Sequence, residues 1–146
     1  MRLVIGSDHA GFEQKQRLVR HLEEAGHSVT DVGPASADES VDYPDYALAA
    51  ARIVAAGEAD FGVLVCGTGI GMAIAANKVA GVRAANVTDP EFARLAREHN
   101  DANIVTVSAR LVPAQVNEEI VDTFLSTPFG GGRHAGRVEK ISAAEG

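Results

Sequence analysis

The segment from Gly62 to Lys78, GVLVCGTGIGMAIAANK, carries the densest chemistry of the chain. Gly67, Gly69 and Gly71 alternate, so the backbone can turn tightly and expose its N–H groups, and a helix behind them adds its positive end. Together these features suit an anion. The spacing is not the dinucleotide pattern G-x-G-x-x-G, because Met72 stands at its last position, nor the Walker pattern, which needs Gly-Lys followed by Ser or Thr. Close packing of a helix on a strand is the plainer use of such glycines. Cys66 shifts the balance. Most free cysteines are small buried hydrophobes, but this one ends a strand immediately before the turn, where N–H groups and a helix end favour thiolate over thiol. A thiolate there is a nucleophile or a proton acceptor, and its position alone leaves both open.

Asp8-His9 closes the first strand, and His99-Asn100-Asp101 ends the helix that begins after Asp89. A helix C-terminus favours the protonated imidazole, which fits a proton donor; capping or surface exposure is the blander role. His21 and His27 have no such setting and read as surface residues. In GGGRHAGRVEK, a helix after the glycines places Arg133 and Arg137 four residues apart on one face. Like charges so placed cost roughly a few tenths of a kcal/mol unless an anion lies beside them. Guanidinium groups match phosphate oxygens in bidentate fashion, and pairing with Glu139 is the alternative.

The elements that must carry these groups alternate in type. Arg2–Gly6 reads as a strand, and Phe12, Leu18, Val19, Leu22 and Ala25 mark one face of a helix that stops at Gly26. Ser28–Val32 is a second strand, Gly33–Asp42 a polar loop, and Pro44 opens an Ala-rich helix reaching Gly57. Phe61–Cys66 is a continuous apolar strand of the buried kind. After the helix behind the glycines come a strand Val82–Val87, a helix capped by Asp89 and a strand Asn103–Val107. A helix entered at Pro113 then turns Val116, Ile120, Val121, Phe124 and Leu125 inward, and a short C-terminal helix follows the glycines at 130–132. This order predicts an α/β chain: one three-layer α/β/α, Rossmann-like domain over 1–146 with a five-stranded parallel sheet. In such sheets ligands bind beyond the carboxyl ends of the strands, so Asp8, His9, the Cys66 turn, Ser108 and Arg110 should converge.

Composition narrows the partners. The chain has 146 residues, a net charge of −7, one cysteine and no tryptophan. One cysteine makes no internal disulfide, and no cluster has zinc-ligand spacing, so neither a disulfide framework nor a metal site is expected. The longest uncharged run, Phe61 to Asn77, is short of the ~20 residues of a membrane span and is broken by glycines. No export signal is read at the start, and the cytoplasm is the expected compartment. An acidic balance with few aromatics argues against a nucleic-acid surface. It does not exclude a small phosphate, because Asp38, Glu39, Asp42 and Asp45 crowd one loop region while Arg133, Arg137 and Lys140 gather in another.

Taken together, SDHAGF (7–12), DYPDYA (42–47), CGTGIGMAIAANK (66–78), GVRAA (81–85), HNDANI (99–104) and GGRHAGRVEKI (131–141) resemble the ribose-5-phosphate isomerase B family, which includes galactose- and allose-6-phosphate isomerases. The resemblance implies a cofactor- and metal-independent aldose–ketose isomerase that interconverts ribose 5-phosphate and ribulose 5-phosphate. By that likeness Cys66 is the base that moves a proton between C1 and C2 through an enediolate. The backbone of Gly67, Thr68, Gly69, Ile70 and Gly71, with the Thr68 side chain and Asn100, stabilises the oxyanion. His99 protonates the ring oxygen during opening, Asp8 assists at the sugar hydroxyls, and His9, Arg133 and Arg137 hold the phosphate with Arg110 near it. A branch of the family uses a glutamate where Met72 stands, so the chain looks like the cysteine-dependent branch. A homodimer or dimer of dimers with sites across the interface is also implied. Three other readings stay open: an isomerase of a six-carbon sugar phosphate, a cysteine hydrolase or transferase with His99 as base, and a non-catalytic sugar-phosphate binder.

Overall fold

Side chains of a strand alternate between its two faces, and both faces of this sheet are covered. In the computed structural model, which describes residues 1–146, β1 (Arg2–Ser7) and β3 (Phe61–Cys66) turn Leu3, Ile5, Val63 and Val65 to one side. Val4, Leu64 and Cys66 face the other side. On the first side they meet α1 (Phe12–Glu24), α4 (Pro90–Asn100) and α5 (Ala114–Ser126) through Leu18, Leu22, Ala93, Ile120, Val121 and Phe124. On the second they meet α2 (Tyr43–Ala55) and α3 (Ile70–Ala76) through Ala47, Ala50, Ala51, Met72 and Ala76. Small residues on α2 let it lie close to the sheet. The predicted α/β/α layering with a five-stranded parallel sheet is what is observed, in the order β2-β1-β3-β5-β4, with β2 at Ser28–Asp31, β4 at Ala84–Asn86 and β5 at Ile104–Ser108.

The fourth strand departs furthest from its expected bounds. β4 has three residues rather than the run Val82–Val87, and side chains join the backbone in holding its start. Asn103 Oδ1 accepts from the Arg83 N–H at 2.8 Å, and the Asn77 amide brackets Ala84, accepting from its N–H at 2.7 Å and donating to its carbonyl at 2.9 Å. The helix behind the glycines, α3, spans only seven residues. Its dipole is correspondingly small, so an anion at the turn depends on individual N–H groups more than on the helix as a whole. The last helix, α6 (Arg133–Ala143), buries none of its residues within the chain and packs against the end of α4.

α1 leaves the carboxyl end of β1 on one face and α3 leaves that of β3 on the other. This opens a crevice between neighbouring strands at the end where ligands bind in open α/β sheets.

Candidate active site

The turn after β3 is pinned from β5. Ser108 Oγ donates to the Gly67 carbonyl at 2.7 Å, the Arg110 N–H donates to the same oxygen at 3.0 Å, and Thr106 Oγ1 donates to the Gly69 carbonyl at 2.8 Å. Gly69 has φ +83°, and a Cβ there would strike Asn86 Oδ1 and lie 3.0 Å from the Val107 carbonyl oxygen, so only glycine fits. Held this way, the Gly69 N–H donates to Cys66 Sγ at 3.1 Å. Cys66 is 5% exposed and borders a cleft of about 420 Å³ shared with Asp8, Gly67, Thr68, Gly71 and Arg110. The predicted convergence of the Asp8 and Arg110 strand ends on the Cys66 turn is therefore observed.

The groups around the sulfur are not equally available. The Ile70 N–H donates to Thr68 Oγ1 at 3.1 Å, and that of Gly69 is on the sulfur, so the turn's free donors reduce to the remaining N–H groups. Gly71, at the second position of α3, has no acceptor within the helix. Asp8 Oδ1 accepts from the Gly11 N–H at 2.9 Å, which starts α1 and fixes the carboxylate at the cleft. The Arg110 guanidinium lies against Gly67, where a Cβ would approach its Nη1 to 3.2 Å. His9 Nδ1 accepts from the Val41 N–H at 3.1 Å. That bond leaves Nε2 as the ring's donor and ties the acidic loop to β1.

Tyr43, Ile70 and Ile74 form an exposed apolar rim on this cleft. Sequence reasoning missed Tyr43 and Ile74 as site residues. The signal for Tyr43 is Gly71, whose missing side chain admits the ring: a Cβ there would lie 2.7 Å from Tyr43 Cε2 and Cζ. Met72 is fully buried in the same cluster as Cys66.

The remaining predicted residues lie at the opposite end of the sheet. α4 runs back from the carboxyl ends, so His99 and Asn100 finish it beside the amino ends of β3 and β5, where Asn103 bonds to Gly62 and Arg83. Asp101 closes the helix at φ +47°, and its carboxylate is gripped by Arg97 at 2.8 Å and Arg83 at 3.3 Å. Five steps along β3 at ~3.3 Å place this end about 17 Å from Cys66. The His99 ring stacks on His134 with centroids 4.2 Å apart and planes 17° from parallel. Arg133 and Arg137 flank the pair; neither they nor Glu139 forms an ion pair, so the expected alternative partner is not engaged. Partial removal from water lowers the His134 pKa below its ordinary value. The charges of His99, Arg133 and Arg137 push the same way, and Glu98 opposes them. Asn100 borders a second cleft, of about 440 Å³, with Arg83 and Ile141. Each end of the sheet thus carries half of the predicted site.

Residues 3–141 match the family model described as Ribose/Galactose Isomerase. The chain is 46% identical to ribose-5-phosphate isomerase B of Escherichia coli (strain K12), over 99% of this chain and 96% of that protein. Among solved structures, ribose-5-phosphate isomerase B of Clostridium thermocellum superposes with a TM-score of 0.97 at 48% identity, covering 99% of this chain and 97% of the other. The Mycoplasma genitalium enzyme with bound ribulose-5-phosphate does so with a TM-score of 0.96 at 43% identity, covering 99% and 95%.

Proposed function

The chain belongs to the ribose/galactose isomerase family, and from that premise we propose how it interconverts ribose 5-phosphate and ribulose 5-phosphate. The observation that carries the mechanism is the sole thiol of the chain, Cys66, held by the Gly69 N–H on the wall of a cleft that it shares with Asp8, Thr68 and Arg110.

Cys66 takes the proton from C2 of the open-chain aldose and returns it to C1, while the proton of O2 passes to O1. The intermediate is an enediolate. A proton beside a carbonyl is too weakly acidic for a thiolate unless the oxyanion is stabilised as it forms. Backbone N–H groups of the 67–71 turn, Thr68 and Asn100 do this. Ring opening precedes it: His99 protonates the ring oxygen, with Asp8 at the sugar hydroxyls. His9, Arg133 and Arg137 hold the phosphate, and Arg110 lies near it.

One chain does not bring Cys66 and His99 to the same sugar, because the length of the sheet separates them. We infer that the working unit is a homodimer, alone or paired into a tetramer, in which the amino end of one copy completes the carboxyl end of the other. The exposed apolar side chains Tyr43, Ile70 and Ile74 around the cleft, and α6 with Ile141 unburied, support this reading. A reduced catalytic thiol further suits the cytoplasm, and no helix is long and apolar enough to cross a membrane.

The direct test supplies the purified protein with ribose 5-phosphate, allose 6-phosphate and galactose 6-phosphate and follows ketose formation. The expected result is the highest kcat/KM on ribose 5-phosphate. Preference for a hexose phosphate would reassign the substrate, and binding without turnover would leave only a sugar-phosphate binder.

A further inference from the structure

His134 lies within the half-site at the amino end of the sheet, yet neither proton transfer nor phosphate binding uses it. Its placement is specific. The Gly130 N–H donates to the Glu98 carbonyl at 2.9 Å, docking the glycine run on the last turn of α4, and Gly131 and Gly132 both turn through positive φ. α6 then begins, and its second residue lays its imidazole face on the ring of His99 at 4.2 Å. A Cβ at position 130 would lie 3.0 Å from the Glu98 carbonyl oxygen, so the approach of the run to α4 depends on glycine.

The charges around the stack act on His134. α4 contributes Glu98, whose carboxylate is 3.9 Å from His99 Nε2 and is also paired with Arg94; α6 contributes Arg133 and Arg137. A positive charge on His134 would face His99 and both arginines, which disfavours it. A neutral His134 ring gives an attractive stack, whereas two parallel cations would repel. His99 otherwise sits half exposed at a helix end, where a lone side chain samples several rotamers.

We propose that His134 is a positioning residue for His99: its ring is the platform that fixes the plane of the acid toward the sugar ring oxygen. This rests on the assignment of His99 as the ring-opening acid, so the test separates the two. The probes are ribose 5-phosphate and 4-deoxyribose 5-phosphate, which lacks the hydroxyl that closes the ring and therefore needs no opening.

His134→Ala should lower kcat/KM on ribose 5-phosphate by about two- to tenfold, the worth of one aromatic stack, and leave the 4-deoxy sugar nearly unaffected. His134→Phe, which keeps the stack without a titrating group, should restore the rate. The double variant His99→Asn/His134→Ala should be no worse than His99→Asn alone, because His134 acts through His99. If His134→Ala does not fold, His134→Leu gives the same comparison with the volume kept and the aromatic face removed. A folded variant with unchanged rate, or with equal losses on both sugars, overturns the proposal. Equal losses for His99→Asn itself would overturn the assignment of His99 and the proposal with it.

Discussion

Mixing two inactive variants should restore activity if each site is built from two copies. Cys66→Ala removes the proposed base at the carboxyl end of the sheet, and His99→Asn removes the proposed acid at the amino end, about 17 Å away along β3. In a two-fold dimer that pairs opposite ends, a hybrid has one site carrying both lesions and one carrying neither. Random exchange at equal concentrations makes half the dimers hybrids, and half of their sites are intact, so about a quarter of wild-type activity should return. The background is low, because general acid–base groups contribute roughly 10²–10⁴ in rate. The assay is ribulose 5-phosphate formation after subunit exchange, with the hybrid counted by native mass spectrometry. Hybrids present at the expected fraction, with activity no higher than the sum of the parents, would refute the shared site.

Three further outcomes follow from the geometry. His99→Asn should cost about 10²-fold or more in kcat/KM on ribose 5-phosphate and far less on the 4-deoxy sugar, measured by the same ketose assay; equal losses remove its ring-opening role. Gly69→Ala forces a side chain into φ +83° against the Val107 carbonyl. The strain alone is about 1–2 kcal/mol, so a thermal melt should fall by roughly 4 °C or more, with loss of activity as the Cys66 turn shifts. Asp60 has its pKa lowered by hydrogen bonds from the Arg2 backbone and side chain, and then by the Arg2 charge. A lowered carboxylate stabilises the fold fully above its ordinary value of 3.8 and loses that contribution as the pH falls through the lowered one. Melts compared at about pH 6 and about pH 3 should therefore differ less in Asp60→Asn than in wild type; because the pair is exposed the difference is small, and an unchanged acid limb would show it contributes nothing.

What was legible in the chain was what is local. The alternation of strands and helices, and the run of Cys66 with Gly67, Gly69 and Gly71, are contiguous patterns, and the carboxyl-end rule then brings Asp8 and Arg110 to the thiol. His99 stands out in the sequence at a helix C-terminus and takes its role, like Asn100, from the resemblance, but the place of neither is legible, because they end a helix that returns to the far side of the sheet. Pairings distant in sequence stayed hidden. Lys15 lies in an ordinary amphipathic helix, yet it is fully buried, donating to Asp31 at 2.8 and 2.9 Å and to the Pro34 carbonyl at 2.6 Å. His21, read as a plain surface residue, meets Asp122 at 2.9 Å across α1 and α5. The bonds of Asn77 and Asn103 to the start of β4 stayed hidden for the same reason.

The central claim is that Cys66 moves the proton. The most direct measurement is isomerisation of ribose 5-phosphate in deuterated water by wild type and Cys66→Ala, with turnover and label at C1 and C2 followed by NMR and phosphate-ligand affinity measured alongside. Loss of both turnover and label uptake, with phosphate-ligand affinity kept within about twofold, is the predicted result, since Arg133, Arg137 and His9 are untouched. Near-wild-type isomerisation by Cys66→Ala would contradict it.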